Sequence, residues 1–167
     1  MNDLREFYDP DTVDLMQWLQ NTEKDAVISG SMQLMAGVKL CSSRAITNHP
    51  HFEDQNLRDR TRELYQMYAK VSPKEVHSIL RKYEATYIIL EDSICLAHRE
   101  RCSLPDIMDL TNGHVGHFYR LQTDRIYIEL LLSKIPDDGI LNPPHLVKSK
   151  YPRFCEEVRS QFENKRL

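Results

Sequence analysis

Asp25-Ala26-Val27-Ile28-Ser29-Gly30-Ser31-Met32-Gln33-Leu34-Met35-Ala36-Gly37-Val38-Lys39-Leu40 is the stretch that decides the fold. Ala26, Val27 and Ile28 form a short apolar run of the kind that makes a buried strand. Gly30-Ser31 turns the chain. From Met32 to Leu40 only Gln33, Gly37 and Lys39 interrupt the apolar residues, which predicts a helix buried on most sides. Working outward, Arg44 to Thr47 reads as the next strand. Thr86-Tyr87-Ile88-Ile89-Leu90 is the clearest one, because β-branched and aromatic residues pack well on a pleated surface.

Each of these runs ends in a knot of polar residues: Ser29-Gly30-Ser31, then Thr47-Asn48-His49-Pro50-His51-Phe52-Glu53, then Glu91-Asp92-Ser93. Strands lying side by side would bring the knots to one edge. In open α/β sheets the edge at the carboxyl ends of the strands is where ligands are held. The expected fold is therefore α/β, with a small mixed or mostly parallel sheet flanked by helices.

Helices are expected between the strands. Asp9-Pro10-Asp11-Thr12 supplies an N-cap and a first-turn proline ahead of Leu15, Trp18 and Leu19, giving a helix from about 10 to 21. Leu57, Thr61, Leu64, Tyr65 and Tyr68 keep one face of an amphipathic surface helix, with Arg58, Asp59, Arg60 and Arg62 on the other. Ser72-Pro73-Lys74-Glu75 has capping-box spacing before Val76, Ile79, Leu80 and Tyr83. Ser103-Leu104-Pro105-Asp106 caps a short helix that stops near Asn112-Gly113. Between Ile126 and Ile135 the apolar residues fit a strand and a helix equally well. Phe154, Val158 and Phe162 mark a last helix.

Composition narrows the function. The 167 residues are 41% hydrophobic and 28% charged, ordinary values for one globular domain. A net charge of -3 supplies no clustered positive field for nucleic acid, so no nucleic-acid partner is expected. The longest apolar stretch, Ile126 to Ile135, is broken by Glu129, Ser133 and Lys134, far short of the ~20 apolar residues of a membrane helix. The amino terminus shows no secretory signal, and taken alone the chain reads as cytosolic. Cys41, Cys95, Cys102 and Cys155 include no Cys-x-x-Cys pair, and reduced core thiols are the default. An oxidising compartment would allow Cys95 and Cys102, which enclose a short basic segment, to join, although four cysteines permit three pairings.

Each candidate site has a plainer alternative. The serine turn before a helix points backbone N–H groups and a positive helix end at an anion, yet it lacks the spaced glycines of a dinucleotide fingerprint and the Gly-Lys-Ser/Thr of a P-loop. A serine-capped tight turn explains it as well. His49, His51 and Glu53 alternate along an extended segment and so share a side. They fit a polar ligand-facing loop or a solvated turn better than a metal site, for which no third ligand is evident. Glu91-Asp92 fits an acid/base pair or the polar end of a strand. No self-contained catalytic constellation is present, and no metal or cofactor is expected in the chain itself.

Residues 6 to 114 resemble the soluble carboxyl-terminal domain of the dumpy-nineteen-like (Dpy) protein C-mannosyltransferases. The resemblance is carried by Glu6-Phe7-Tyr8-Asp9-Pro10-Asp11-Thr12-Val13, by Gly30 to Cys41, by Thr47-Asn48-His49-Pro50-His51-Phe52-Glu53-Asp54 and by Ile89-Leu90-Glu91-Asp92-Ser93-Ile94-Cys95. Asn112-Gly113-His114 and Arg153-Phe154-Cys155-Glu156-Glu157 continue it. It implies the lumenal part of a membrane glycosyltransferase of GT-C type in the endoplasmic reticulum. Such an enzyme moves mannose from dolichyl phosphate mannose to a tryptophan of a secretory polypeptide. The partners implied are that acceptor polypeptide and the transmembrane part of the same enzyme, without which the chain should be inactive.

Val27 to Glu53 is also similar to the acceptor-peptide side of oligosaccharyltransferase catalytic subunits. Together these resemblances make Ser29, Ser31, Arg44, His49, His51, Glu53, Glu91 and Asp92 the candidate substrate-binding residues. A lumenal location also favours a Cys95–Cys102 disulfide. The expected organisation is a lumenal α/β domain over 1–114, an atypical insert or linker over 115–152, and a carboxyl-terminal helix over 153–167 that lacks the family's closing strand. As alternatives, the chain is a stand-alone binding or scaffold domain derived from such an enzyme, or a small metal-dependent hydrolase using His49 and His51.

Overall fold

A computed structural model describes residues 9–49, 53–97, 103–114 and 147–164. His51, Cys102 and the ambiguous Ile126–Ile135 segment lie outside the described residues. The chain divides into two compact units, one formed by 1–64 and 77–91, the other by 65–76 and 92–167.

The first unit carries the sheet. Asp9 caps α1 (Pro10–Gln20) by accepting from the Asp11 amide, and Pro10 fills the first turn where no amide is needed. β1 (Val27–Ser29) follows, then Ser31 caps α2 (Met32–Ser42) through a 3.2 Å bond from the Leu34 amide. β2 (Ala45–Ile46), α3 (Gln55–Leu64) and β3 (Tyr87–Ile88) complete the unit with the end of α4 (Pro73–Lys82). The strand order is β2-β1-β3 and both pairings are parallel, with Val27 opposite Ala45 and Ile28 opposite both Ile46 and Tyr87. The fold is thus mixed α/β around a parallel sheet, as the sequence predicts.

The core of this unit is Met16, Leu19, Ala26, Ile28, Met35 and Val38. Burying one such aliphatic side chain stabilises by roughly 1.5–3 kcal/mol, so this cluster holds α1 and α2 to the sheet. α2 is less enclosed than its composition predicts: Met35, Val38 and Ser42 are buried, whereas Leu40 is 82% exposed. The buried positions recur at helical intervals of three and four, so α2 buries a single stripe.

The second unit has no strand longer than a single bridge, between His114 and Val147, among the described residues. It contains a short 3-10 turn (Tyr65–Tyr68), the start of α4, α5 (Asp92–Cys95), α6 (Leu104–Thr111) and α7 (Phe154–Asn164). The Ser72 hydroxyl accepts from the Glu75 amide and the Ser103 hydroxyl from the Asp106 amide, which confirms both predicted caps. Gly113, at φ +72°, ends α6 in a conformation that costs glycine little. In α7 the expected apolar face is only partly realised, for Cys155 is buried while Phe162 is 66% exposed.

Two groups organise this unit. Cys95 and Cys155 form a disulfide, with Cα atoms 6.0 Å apart. This overturns the Cys95–Cys102 pairing. α5 and α7 bring together two cysteines 60 residues apart in sequence, and Cys95 has only one sulfur to give. The second group is an ion network in which Arg153, 4% exposed, donates to Asp106 Oδ1 at 2.6 Å and to Asp109 Oδ2 at 3.0 Å. Lys70 adds an ion pair to Asp109 at 3.4 Å, and its backbone amide donates to Asp109 Oδ1 at 2.8 Å. Two carboxylates thus face two cations, the pairing that buried charge requires.

Candidate functional site at the carboxyl edge of the sheet

All three strands of the first unit run the same way, so their exits meet at one edge. Specific bonds tie those exits together. Ile89, leaving β3, donates its amide to the Ser29 carbonyl at 2.8 Å, and Thr47, leaving β2, donates to the Ile28 carbonyl at 3.0 Å. The Asn48 side chain, 1% exposed, donates Nδ2 to the Gly30 carbonyl at 3.1 Å and accepts on Oδ1 from Thr47 Oγ1 at 3.1 Å. Gly30 keeps this corner close. A Cβ there would sit 2.8 Å from Met35 Cε, the flexible tip of a side chain that would have to move, and 3.3 Å from the Ile89 carbonyl oxygen, so a larger residue would crowd the β3 exit.

The strand order adds a second constraint. The chain passes from β1 to β2 on one side, then returns across β1 to place β3 on the other. The direction of winding therefore reverses between β1 and β3, and the crevice outside such a switch point is the usual ligand position in open parallel sheets. Ser29 ends β1, and Glu91 lies three residues past the end of β3. Ser29 Oγ and Glu91 Oε2 are both buried and have no hydrogen-bond partner among the described residues. An orphaned buried oxygen forfeits its hydration, so two at one switch point mark a place where an external donor would be welcome.

The remaining candidates separate. Ser31 belongs to the edge, but its hydroxyl is engaged as the α2 cap. His49 is half-buried just past the β2 exit, and Glu53 is exposed at the start of the turn into α3. Arg44 stands at the entry of β2, the end opposite the serine turn. Its guanidinium donates to the Gln20 and Thr22 carbonyls, both at 2.9 Å, and so satisfies the last carbonyl of α1 and one just beyond its end. Arg44 is a helix-capping residue in this geometry. Asp92, whose side chain is 67% exposed, forms an ion pair with Arg159 of the second unit's α7. Among the described residues no group of three His, Cys, Asp or Glu side chains is placed to hold a metal.

Two contributors escape the sequence reading. Asn48 stitches β2 to the turn, and an asparagine between a threonine and a histidine gives no sign of that. Arg60 is the other: its position on a charged helix face suggests solvent, yet its Nη1 donates to the Thr47 carbonyl at 3.4 Å and its guanidinium lies 5.2 Å from the centre of the Tyr83 ring. Beside it, Glu63 accepts from Lys82 at 2.6 Å and from the Tyr83 hydroxyl at 2.9 Å. Those two bonds, Lys82 first, hold the Glu63 carboxyl below its ordinary pKa, and the bond to Glu63 holds Lys82 above its own.

Comparison with known proteins gives this edge a family. The chain matches the family described as "Dpy19: Q-cell neuroblast polarisation" over residues 1–167. It is 36% identical to the mouse protein named "Probable C-mannosyltransferase DPY19L4" across 97% of this chain and 20% of that relative. It is 40% identical to mouse "Protein C-mannosyl-transferase DPY19L1" across 65% of this chain and 15% of the relative. The Caenorhabditis elegans protein "C-mannosyltransferase dpy-19" is 41% identical across 54% of this chain and 13% of its own length. The chain thus spans about a fifth or less of these relatives. The match along all its residues, with a curated relative aligned over nearly the same span, means that the chain belongs to the Dpy19 family.

Proposed function

We propose that this chain is the acceptor-facing lumenal region of a protein C-mannosyltransferase. The observation that carries the reading is the switch-point edge, where Ser29 Oγ and Glu91 Oε2 are buried without partners among the described residues, in a chain of this family. The two oxygens differ in use. A carboxylate accepts only, and so suits an indole N–H or a peptide amide, while a serine hydroxyl can accept or donate.

In the reaction proposed for the intact enzyme, a bond forms between the anomeric carbon of mannose and C2 of a tryptophan indole. Dolichyl phosphate leaves with the electron pair of the broken C–O bond, and the indole C2 proton is released. The donor, dolichyl phosphate mannose, is lipid-linked. Among the described residues no helix is long and apolar enough to cross a membrane, so the donor is assigned to a membrane part of the same enzyme. The role of this chain is to hold a secretory acceptor polypeptide. The Cys95–Cys155 disulfide agrees with the oxidising lumen of the endoplasmic reticulum.

The test uses the intact enzyme. Ser29→Ala and Glu91→Gln are expected to raise the acceptor-peptide KM by about tenfold each, the cost of roughly one hydrogen bond, with the donor KM unchanged. Unchanged acceptor KM in both variants would overturn the reading.

A further inference from the structure

Thr47, which leaves β2 at the candidate edge, and Glu53 are both held by one helix. Arg60 of α3 donates Nη1 to the Thr47 carbonyl at 3.4 Å, and Arg58, two residues earlier on the same helix, donates Nη1 to the Glu53 carbonyl at 3.3 Å. α3 is itself anchored close by, since Asp54 Oδ1 accepts from the Leu57 amide at 2.8 Å and its carbonyl accepts from the Arg58 amide at 3.1 Å. Arg60 is half-buried, and its guanidinium is further located by the Tyr83 ring. Tyr83 is fixed in turn by the bond from its hydroxyl to Glu63, three residues beyond Arg60 on α3. Planarity lets one arginine donate to a carbonyl while resting on an aromatic face, which a lysine ammonium does less well.

We propose that Arg60 is a positioning residue for acceptor binding, setting the exit of β2 through the Thr47 carbonyl. This inference rests on the acceptor-facing reading above. Thr47 connects Arg60 to the edge directly: its amide bonds the Ile28 carbonyl, its hydroxyl bonds Asn48, and Asn48 holds the Gly30 carbonyl beside Ser29. Release of the Thr47 carbonyl therefore loosens the turn that presents Ser29. A small displacement of a binding group lowers rate or affinity even when the residue that causes it touches no substrate.

The experiment measures acceptor KM, donor KM, kcat and melting temperature in the intact enzyme. Arg60→Met is expected to raise the acceptor KM about tenfold with kcat within about twofold, the pattern of lost binding geometry. Tyr83→Leu shifts it the same way by less, Tyr83→Phe, which keeps the ring but loses its bond to Glu63, by less again, and Arg60→Lys falls between Arg60→Met and the parent. If Arg60→Met does not fold, Arg60→Lys carries the test, with an expected rise of about threefold. An unchanged acceptor KM in the Arg60 variants beside a raised one in Ser29→Ala would overturn the positioning role and leave the edge standing. So would losses that fall equally on donor and acceptor with a lowered melting temperature. Unchanged acceptor KM in the Arg60 and Ser29 variants alike would remove both.

Discussion

Two buried clusters of this chain, the α6 carboxylates and the sheet edge, treat their polar groups differently. In the second unit each buried carboxylate of α6 meets a cation: Asp106 and Asp109 share Arg153, and Lys70 completes the pairing. In the first unit a serine hydroxyl and a carboxylate oxygen are buried at the sheet edge and meet no donor or acceptor among the described residues. Burial without a partner costs roughly 1–3 kcal/mol per group, and more for a charge. Carboxylates paired around α6 and oxygens left open at the sheet edge differ in what a ligand could add, since only the second give up stability that a bound donor would restore. On the function proposed above, the contrast separates residues that hold the fold from residues that would meet the acceptor.

Breaking the paired unit should have the largest effect. Arg153→Met would remove the cation that Asp106 and Asp109 share and leave Lys70 on Asp109, and denaturant unfolding should show a loss of about 3–5 kcal/mol, typical of removing one partner of a buried ion pair. A loss under about 1 kcal/mol would mean the network is hydrated and the contrast false. Next is Cys155→Ser. Opening a bridge between cysteines 60 residues apart should cost about 2–4 kcal/mol, and reducing agent should destabilise the parent but leave the variant unaffected.

The open unit should respond in the other sense. Ser29→Ala removes a buried hydroxyl that has no partner among the described residues, so stability should change by less than about 1 kcal/mol, or rise, while acceptor binding falls. A large loss of stability would instead make Ser29 an ordinary core hydroxyl.

The smallest effect belongs to the surface cluster of Glu63, Lys82 and Tyr83. Glu63 is held below its ordinary value of 4.5, so its contribution is present above that value and lost as pH falls through the lowered one. Lys82 is held above 10.5, so its contribution is present below that value and lost as pH rises through the raised one. Glu63→Gln should flatten the acid limb of the stability profile below about pH 4.5, and the screened, exposed pair should respond to added salt. Tyr87 and Glu23 form a similar pair, with the Tyr87 hydroxyl pushed up by its bond to Glu23.

How legible this was in the sequence depended on whether the signal was local. Caps are local, and Asp9, Ser31, Ser72 and Ser103 were readable from spacing because each bonds within three residues. The three strands were readable from their apolar residues, although β2 and β3, of two residues each, are shorter than the stretches that predicted them. The order β2-β1-β3 was not, because it depends on where α2, α3 and α4 lead the chain, and that order is what pairs Ser29 with Glu91 at a switch point. Arg44 misled differently: its place at the amino end of β2 is plain from chain order, but its bonds to the Gln20 and Thr22 carbonyls depend on how α1 packs beside it. The disulfide was the clearest failure. Cys102 is seven positions from Cys95 and Cys155 is 60, yet chain proximity says little about which helices pack together.

The most direct test of the central claim is to irradiate the intact enzyme with a tryptophan-containing acceptor peptide that carries a photoreactive group, then locate the crosslink by mass spectrometry. We expect the label in the exits of the three strands, at Ser29–Ser31, Thr47–His49 and Ile89–Glu91. Labelling confined to other parts of the enzyme, with these peptides unmodified, would contradict an acceptor-facing sheet edge.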